Sequence, residues 1–339
     1  MKALVWLGPR NMEIQEVPDP TPREHEVLLR VDMASICGSE LSGYLGESSL
    51  RQPPLIMGHE FCGTVVGMAP NVTSVTVGAH LTVDPTIPDG HCPLCRIGRQ
   101  NLCLTRSIIG VHRPGAFAEY VVAPARACYA IPPDLDHSAG ALIEPVACAV
   151  RVMQVGRVSL GDRVLVIGAG PVGLMIIEAA RAAGAGRVIA VDTNPRRLTM
   201  ARAFGATEVI EPSGGPVEEQ VRQMTADLGC DVAVDAVGLN VTRRQAIASL
   251  RRGGRAVFFG LHEDEAALPG SLIVRSEIEI LGAFTYTLAN FETAVDMVVR
   301  GFARPDPSWC QVRPLADGDD CFRELIDDPS SPAKIQLRP

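Results

Sequence analysis

The stretch RVLVIGAGPVGLMIIEAARAA, residues 163–183, constrains this chain more than any other. It opens with a continuous apolar, β-branched run of the kind that forms a strand buried on both faces. Gly168, Gly170 and Gly173 then make a G-x-G-x-x-G turn, and Pro171 stands where the first turn of a helix accepts proline. Val172, Met175, Ile176, Ala179 and Ala183 recur at helical spacing. A strand that turns through glycines into a helix offers unpaired backbone N–H groups and a positive dipole end. The glycines let a pyrophosphate approach the main chain. Asp192 ends the next strand-like run, RVIAVD, 19 residues after Gly173. A carboxylate there accepts hydrogen bonds from both hydroxyls of an adenosine ribose and repels a 2′-phosphate. The combination predicts a dinucleotide site at Gly168, Gly170, Pro171, Val172, Gly173 and Asp192, with NAD favoured. The plainer alternative is that Asp192 only caps a helix beginning near Pro195. Arg196 and Arg197 pull against the NAD preference, since a nearby arginine accommodates a 2′-phosphate; Arg197 is counted with the cofactor residues.

Strands and helices keep alternating downstream. Helices are expected at 195–204, 216–227 and 241–251, with strands at 208–210, 231–238, 255–260 and 277–284. That order implies a parallel doubly wound sheet with right-handed crossovers, spanning 149–288. Before it, residues 1–148 read as short strands between Gly, Pro and Asn turns: EVLLRV (26–31), GTVVGM (63–68), AHLTV (79–83), AFAEYVV (116–122). They suggest a compact β-rich domain, a small barrel. After it comes one amphipathic helix, NFETAVDMVVRG (290–301), then segments rich in Pro and Asp. The fold class is therefore α/β with a second, β-rich domain, and a length of 339 residues suits two domains. The run EIEILGAF (277–284) would be a long apolar edge if unpaired, which predicts at least a dimer.

The net charge is −8 and no basic run exceeds two residues, which argues against nucleic acid and against polybasic membrane docking. The run Ala3–Leu7 is too short for a signal-peptide core, and Val164–Ile177 is broken by three glycines and a proline. A cytoplasmic protein is expected. Ten cysteines in that compartment read as metal ligands or buried small hydrophobes, not as a disulfide framework.

Three of them lie in DGHCPLCRIGRQNLC, residues 89–103. A redox dithiol needs a strand before the first cysteine and a helix starting at it. Here a turn precedes Cys92, Gly98 interrupts the segment after Cys95, and Cys103 is a third thiol without a redox role. C-x2-C followed by another cysteine across a Gly-containing loop suits tetrahedral zinc. The fourth ligand is Asp89 or His91. Asp89 repeats the two-residue interval between Cys92 and Cys95, and matches the charge of a fourth thiolate. His91 adjoins Cys92, and neighbouring side chains in such a loop diverge. A zinc-free loop of three reduced thiols is the bland alternative.

A dispersed set remains: CGSE (37–40), GHEF (58–61) and IEPV (143–146). Taken singly, Cys37 fits a core thiol, His59 a structural imidazole and Glu144 a helix N-terminal charge. Together with GRQNLC, GAFAEY and the glycine turn, in that order, they make the chain resemble zinc-dependent medium-chain alcohol dehydrogenases. Within that family it looks like the sorbitol, polyol and threonine dehydrogenase branch. The resemblance covers essentially the whole chain. It implies a GroES-like catalytic domain from 1–148 and 289–339, and a Rossmann domain from 149–288. It implies Cys37 and His59 as ligands of a catalytic zinc, Glu60 as a neighbouring carboxylate that binds or releases the metal, and Glu144 where other branches have a second cysteine. Ser39 resembles the hydroxyl that bonds the alcohol and passes its proton outward. Two zinc ions per chain, NAD, a small-molecule alcohol, and a homodimer or homotetramer are further implications.

Three positions depart from the family pattern: Asp89 replaces a cysteine, Glu40 replaces an aspartate that orients His59, and Ser42 stands where some relatives have a relay histidine. Tyr44 and Tyr286 are expected as walls of the substrate site. The implied reaction is zinc-assisted hydride transfer from a secondary alcohol of a polyhydroxylated substrate to NAD. The rivals are a zinc-free quinone or enoyl reductase and a non-catalytic dinucleotide-binding protein. His25, His80, His112, His137 and His262 are read as ordinary surface or core histidines.

Overall fold

Val27, Leu29, Val31 and Met33 are buried and alternate with more exposed neighbours along Glu26–Ser35, and this strand is the spine of the first unit. It pairs antiparallel with Glu60–Met68 on one edge. The other edge takes Tyr120–Pro124 near its start and Lys334–Arg338 at its end. His80–Val83 and Cys128–Ala130 extend the sheet beyond Glu60–Met68, and Cys310–Pro314 extends it beyond Lys334–Arg338. A bulge between Val31 and Met33 leaves Asp32 without a residue opposite it. A second sheet orders Asn11–Glu16, Lys2–Gly8 and Leu55–Ile56, with Ala3 bridging to Ala118. Phe61, Phe117, Phe322, Leu337 and the inward residues of the spine close one apolar core. All 339 residues are described by this computed structural model, and this unit comprises Met1–Glu144 with Thr287–Pro339.

The second unit, Pro145–Tyr286, is the doubly wound sheet. Its six parallel strands lie in the order Glu208–Ile210, Arg187–Val191, Arg163–Ile167, Cys230–Asp235, Leu250–Phe258, Glu279–Gly282. Arg163–Ile167 is central, which is why its apolar run has no polar alternation: Val164 to Ile167 are all buried. The chain winds to one edge, returns, and winds to the other. The reversal opens a crevice at the carboxyl ends of Arg163–Ile167 and Cys230–Asp235.

Two expected elements change. The helix expected over 241–251 is Asn240–Ala248, because Leu250 already pairs with Cys230 and Arg251 forms an ion pair with Asp231 on that neighbouring strand. The edge expected over 277–284 shortens to Glu279–Gly282, preceded by Glu277 in left-handed backbone at φ 49°. A four-residue edge with Glu279 exposed is protected by its brevity, so the long apolar edge behind the dimer expectation does not form. No helix is long and apolar enough to cross a membrane.

Candidate functional site

Three strand ends in the first unit build one cluster. Ser35 sits opposite Glu60, Gln336 sits opposite Ser35, and Ile36 N–H donates to the Ile335 carbonyl. That register sets Cys37, His59–Glu60 and Lys334 side by side. Cys37 is the N-cap of the helix Gly38–Leu45. Gly58, at φ 100°, makes the bend before His59, and a Cβ there would lie 2.7 Å from the Phe117 nitrogen. Ligand atoms of Cys37, His59 and Glu60 all lie within 4.8 Å of one another.

Glu40, fully buried on the first turn of that helix, ties the pieces together. Its Oε2 accepts from the Cys37 N–H at 3.0 Å, and its Oε1 accepts from the Gly58 N–H at 2.8 Å and faces His59 Nδ1 at 2.7 Å. With Nδ1 so engaged, Nε2 is the nitrogen of His59 left for a metal, the usual arrangement of a ligating histidine. Burial opposes ionisation of Glu40, yet His59 and Arg51 outweigh it and hold the carboxyl below its ordinary range. Burial also opposes charge on His59, and Glu40 and Cys37 outweigh it, raising the imidazole well above its ordinary pKa. Positive charge is thus strongly favoured at this point.

Glu60 forms a buried ion pair through Oε2 with Lys334, while its Oε1 is buried without a hydrogen-bond partner. A thiol, an imidazole and a carboxylate with an unsatisfied oxygen fit a zinc ion, by donor chemistry and by electrostatic demand. Glu144 is buried in the first turn of the helix Ile143–Gly156 but is not a member of the close cluster. Its position there favours the helix dipole. Ser39 Oγ lies 3.6 Å from Cys37 Sγ.

Tyr44 is not a wall of this site. It is fully buried against Phe322, and its hydroxyl donates to Asp319 at 2.8 Å. Burial and Asp319 together push it up to about 12. Tyr286 is buried too, at 2% exposure.

The cysteine loop forms a second cluster. Ligand atoms of Asp89, Cys92, Cys95 and Cys103 lie within 4.8 Å of one another, and the His91 side chain is 80% exposed outside them. Cys92 does cap a short helix, Pro93–Arg96, where the sequence predicts none. The convergence of Asp89 and Cys103 on the same point distinguishes the loop from a two-thiol site. Backbone N–H groups of Cys92 and His91, with the Thr105 hydroxyl, hold the Asp89 carboxyl far below its ordinary range. Burial and the adjacent Cys92 push Cys95 up to about 12. Burial opposes ionisation of Cys103 as well, but backbone hydrogen bonds at Asp89 and Thr105 outweigh it and lower that thiol. Three sulfurs and a carboxylate converging on one point fit structural zinc by donor chemistry.

In the second unit Gly168, Gly170, Pro171, Val172 and Gly173 form the turn from Arg163–Ile167 into the helix Pro171–Ala182, capped by Gly170. A Cβ on Gly173 would lie 1.9 Å from the Gly168 carbonyl oxygen, so only glycine allows this helix to start against the strand. Asp192 follows Arg187–Val191, accepting from the Ala169 N–H at 2.8 Å and from the Asn194 N–H at 2.8 Å. Asn194, not Asp192, caps the helix Pro195–Ala203. The carboxylate is thereby fixed beside the glycine turn, with lone pairs remaining on both oxygens.

Parts of both units match known protein families. Residues 23–133 match the alcohol dehydrogenase GroES-like domain, and residues 171–300 match the zinc-binding dehydrogenase domain. Sorbitol dehydrogenase of Bacillus subtilis is 34% identical over 292 residues, covering 84% of this chain and 82% of the relative. D-xylulose reductase A of Aspergillus oryzae is 31% identical over 333 residues, covering 95% and 93%. A zinc-binding dehydrogenase of Sinorhizobium meliloti, solved bound to NADP, superposes with a TM-score of 0.92 at 31% identity, covering 100% of this chain and 99% of that one. The chain belongs to the zinc-dependent medium-chain alcohol dehydrogenase family. It is an oxidoreductase that works on an alcohol with zinc and a nicotinamide cofactor.

Two residues of this dehydrogenase site escaped the sequence reading. Lys334, 1% exposed, is raised in pKa because Glu60 and Cys37 outweigh the effect of burial. Arg51, also buried, donates from Nη1 to the Ser39 carbonyl at 2.9 Å and from Nη2 to Ser39 Oγ at 3.3 Å. A lysine opening a strand and an arginine in a Pro-rich loop carry no motif of their own. Only sheet register and loop path bring them to the site.

Proposed function

We propose that the enzyme oxidises a secondary alcohol on a polyhydroxylated substrate to a ketone, reversibly, with NAD as acceptor. The observation that carries this is the close set of Cys37, His59 and Glu60. A zinc-free reductase has no use for such a set, and a carboxylate in it leaves a more polar site than a second thiolate, which suits a substrate with several hydroxyls. The names of the relatives, a sorbitol dehydrogenase and a D-xylulose reductase, support the same substrate class.

Zinc held by Cys37, His59 and Glu60 would supply Lewis-acid polarisation of the alcohol oxygen. Glu40 fixes the His59 ring through Nδ1. Arg51 holds Ser39 through its carbonyl and its hydroxyl, positioning Oγ to accept the alcohol proton while its own hydroxyl proton passes to water. Lys334 faces Glu60 inside the core as its buried partner. A panel of polyols, cyclitols, amino sugars, hydroxy amino acids and simple alcohols tests the reading. The highest kcat/KM is expected on a polyol or cyclitol; a preference for a simple primary alcohol overturns it.

Asp192 supports NAD over NADP, by at least about tenfold in kcat/KM, equivalent to about 1.4 kcal/mol. The NADP-bound relative and the partly buried Arg197 argue the other way, so equal or better kcat/KM with NADP would mean that the arginines prevail. A structural zinc at Asp89, Cys92, Cys95 and Cys103 is the second metal of the proposal. Metal analysis is expected to find one zinc fewer per chain in a Cys92→Ser, Cys95→Ser variant than in the parent. An unchanged count rules the site out.

A further inference from the structure

Asp32, His80 and His137 belong to neither cluster above. They come together through the bulge and through sheet register in the first unit. Arg30 and Thr64 are paired across two strands, and Thr64 is paired in turn with His80 on the next. Asp32, the unpaired residue of the bulge, has its carboxylate re-aimed towards this row. His137 enters from outside the sheet as the first residue of the helix His137–Gly140. Ligand atoms of the three lie within 4.8 Å of one another, and His137 Nε2 stands 4.0 Å from Asp32 Oδ2.

The carboxylate is held in place before any ligand arrives. Arg30 donates to Oδ1 from Nε at 3.2 Å and from Nη2 at 3.0 Å, and Thr64 Oγ1 donates to Oδ2 at 2.6 Å. The rings of His80 and His137 stack at 5.8 Å between centroids and 29° between planes. The neutral imidazole is the form that binds a metal. The Asp32 side chain is buried, at 6% exposure, while that of His137 is 36% exposed, so an ion reaches the carboxylate past the His137 ring, which has room to turn. Donors around a tetrahedral ion, each at about 2.0–2.2 Å, stand roughly 3.3 Å apart. Arg30 and Thr64 hold the carboxylate, so turning of the two imidazole rings closes the difference.

We propose that Asp32, His80 and His137 form a further metal site, separate from both zinc clusters. Two imidazoles and one carboxylate select a borderline divalent ion such as Zn2+, Ni2+ or Cu2+. The ion would fasten the helix His137–Gly140 to the strands that carry Asp32 and His80.

The test uses the zinc-replete enzyme dialysed against Ni2+, followed by metal counting. The parent is expected to retain one more ion per chain than a His80→Ala, His137→Ala variant. That variant should keep its dehydrogenase turnover, which reports its folding. With Cu2+ as probe, the electron paramagnetic resonance spectrum of the parent should carry hyperfine splitting from two imidazole nitrogens, reduced to one in His80→Ala. Asp32→Asn, which preserves shape and keeps the Thr64 contact, should weaken Ni2+ binding at least tenfold. Equal Ni2+ in parent and double variant, or a parent Cu2+ spectrum without nitrogen splitting, overturns the site. Should the double variant fail to fold, the parent spectrum and the Asp32→Asn affinity decide it alone.

Discussion

Cys37→Ala should lower turnover by well over 100-fold while leaving NAD binding near its parental affinity. Loss of a partner that merely orients a metal ligand costs about 10–100-fold in metal affinity or activity. Cys37 is one of the three donor groups of the cluster and one of the groups that raise His59, so alanine removes both a donor and part of the site's attraction for a cation. Gly168, Gly173 and Asp192 lie in the other unit, Pro145–Tyr286, and should be unaffected. Turnover with a polyol, together with an NADH fluorescence titration, separates the two effects. Full activity in the variant, or in the parent after removal of all metal by a chelator, would return the protein to the zinc-free reductase class.

The second large effect is expected at Lys334. Its ammonium and the Glu60 carboxylate are both buried, at 1% and 0% exposure, and they neutralise each other. Lys334→Met keeps most of the side-chain volume and strands a carboxylate in the core. Breaking such a pair from one side costs about 3–5 kcal/mol. The metal-free protein should show this loss in urea unfolding. The zinc-loaded protein should lose less, because a divalent cation beside Glu60 replaces the missing charge. Lys334→Arg, which keeps the charge, should recover part of the stability. If Lys334→Met unfolds at the parental urea concentration in both states, the ion pair contributes nothing and Glu60 has another counter-charge.

What could be read from residues alone was local in sequence. The glycine turn at 168–173 and Asp192 lie within one strand–helix–strand unit, so spacing fixes their geometry. The same holds for Asp89, Cys92, Cys95 and Cys103, fifteen residues of loop that close on themselves. Glu40 could be linked to His59 only through the family resemblance. Its actual work, joining Cys37, Gly58 and His59, depends on a helix start and a strand start meeting.

Elements set by packing were misjudged for the same reason. EIEILGAF has the pattern of a long strand, but left-handed backbone at Glu277 cuts it short. Tyr44 has the composition of a binding-site residue, but Asp319 and Phe322, contributed from far down the chain, draw it into the core. The choice between Glu60 and Glu144 was open in the sequence, since either carboxylate could reach a metal. Antiparallel register sets Glu60 opposite Ser35, two residues from Cys37, with Lys334 on the other side, and Glu144 lies outside that close set. In a sheet a shift of one residue turns every side chain to the opposite face. Composition and spacing therefore established that this chain binds a dinucleotide and carries metal-ligating residues. Which of those residues meet, and which buried cation faces them, was decided by strand pairing between distant segments.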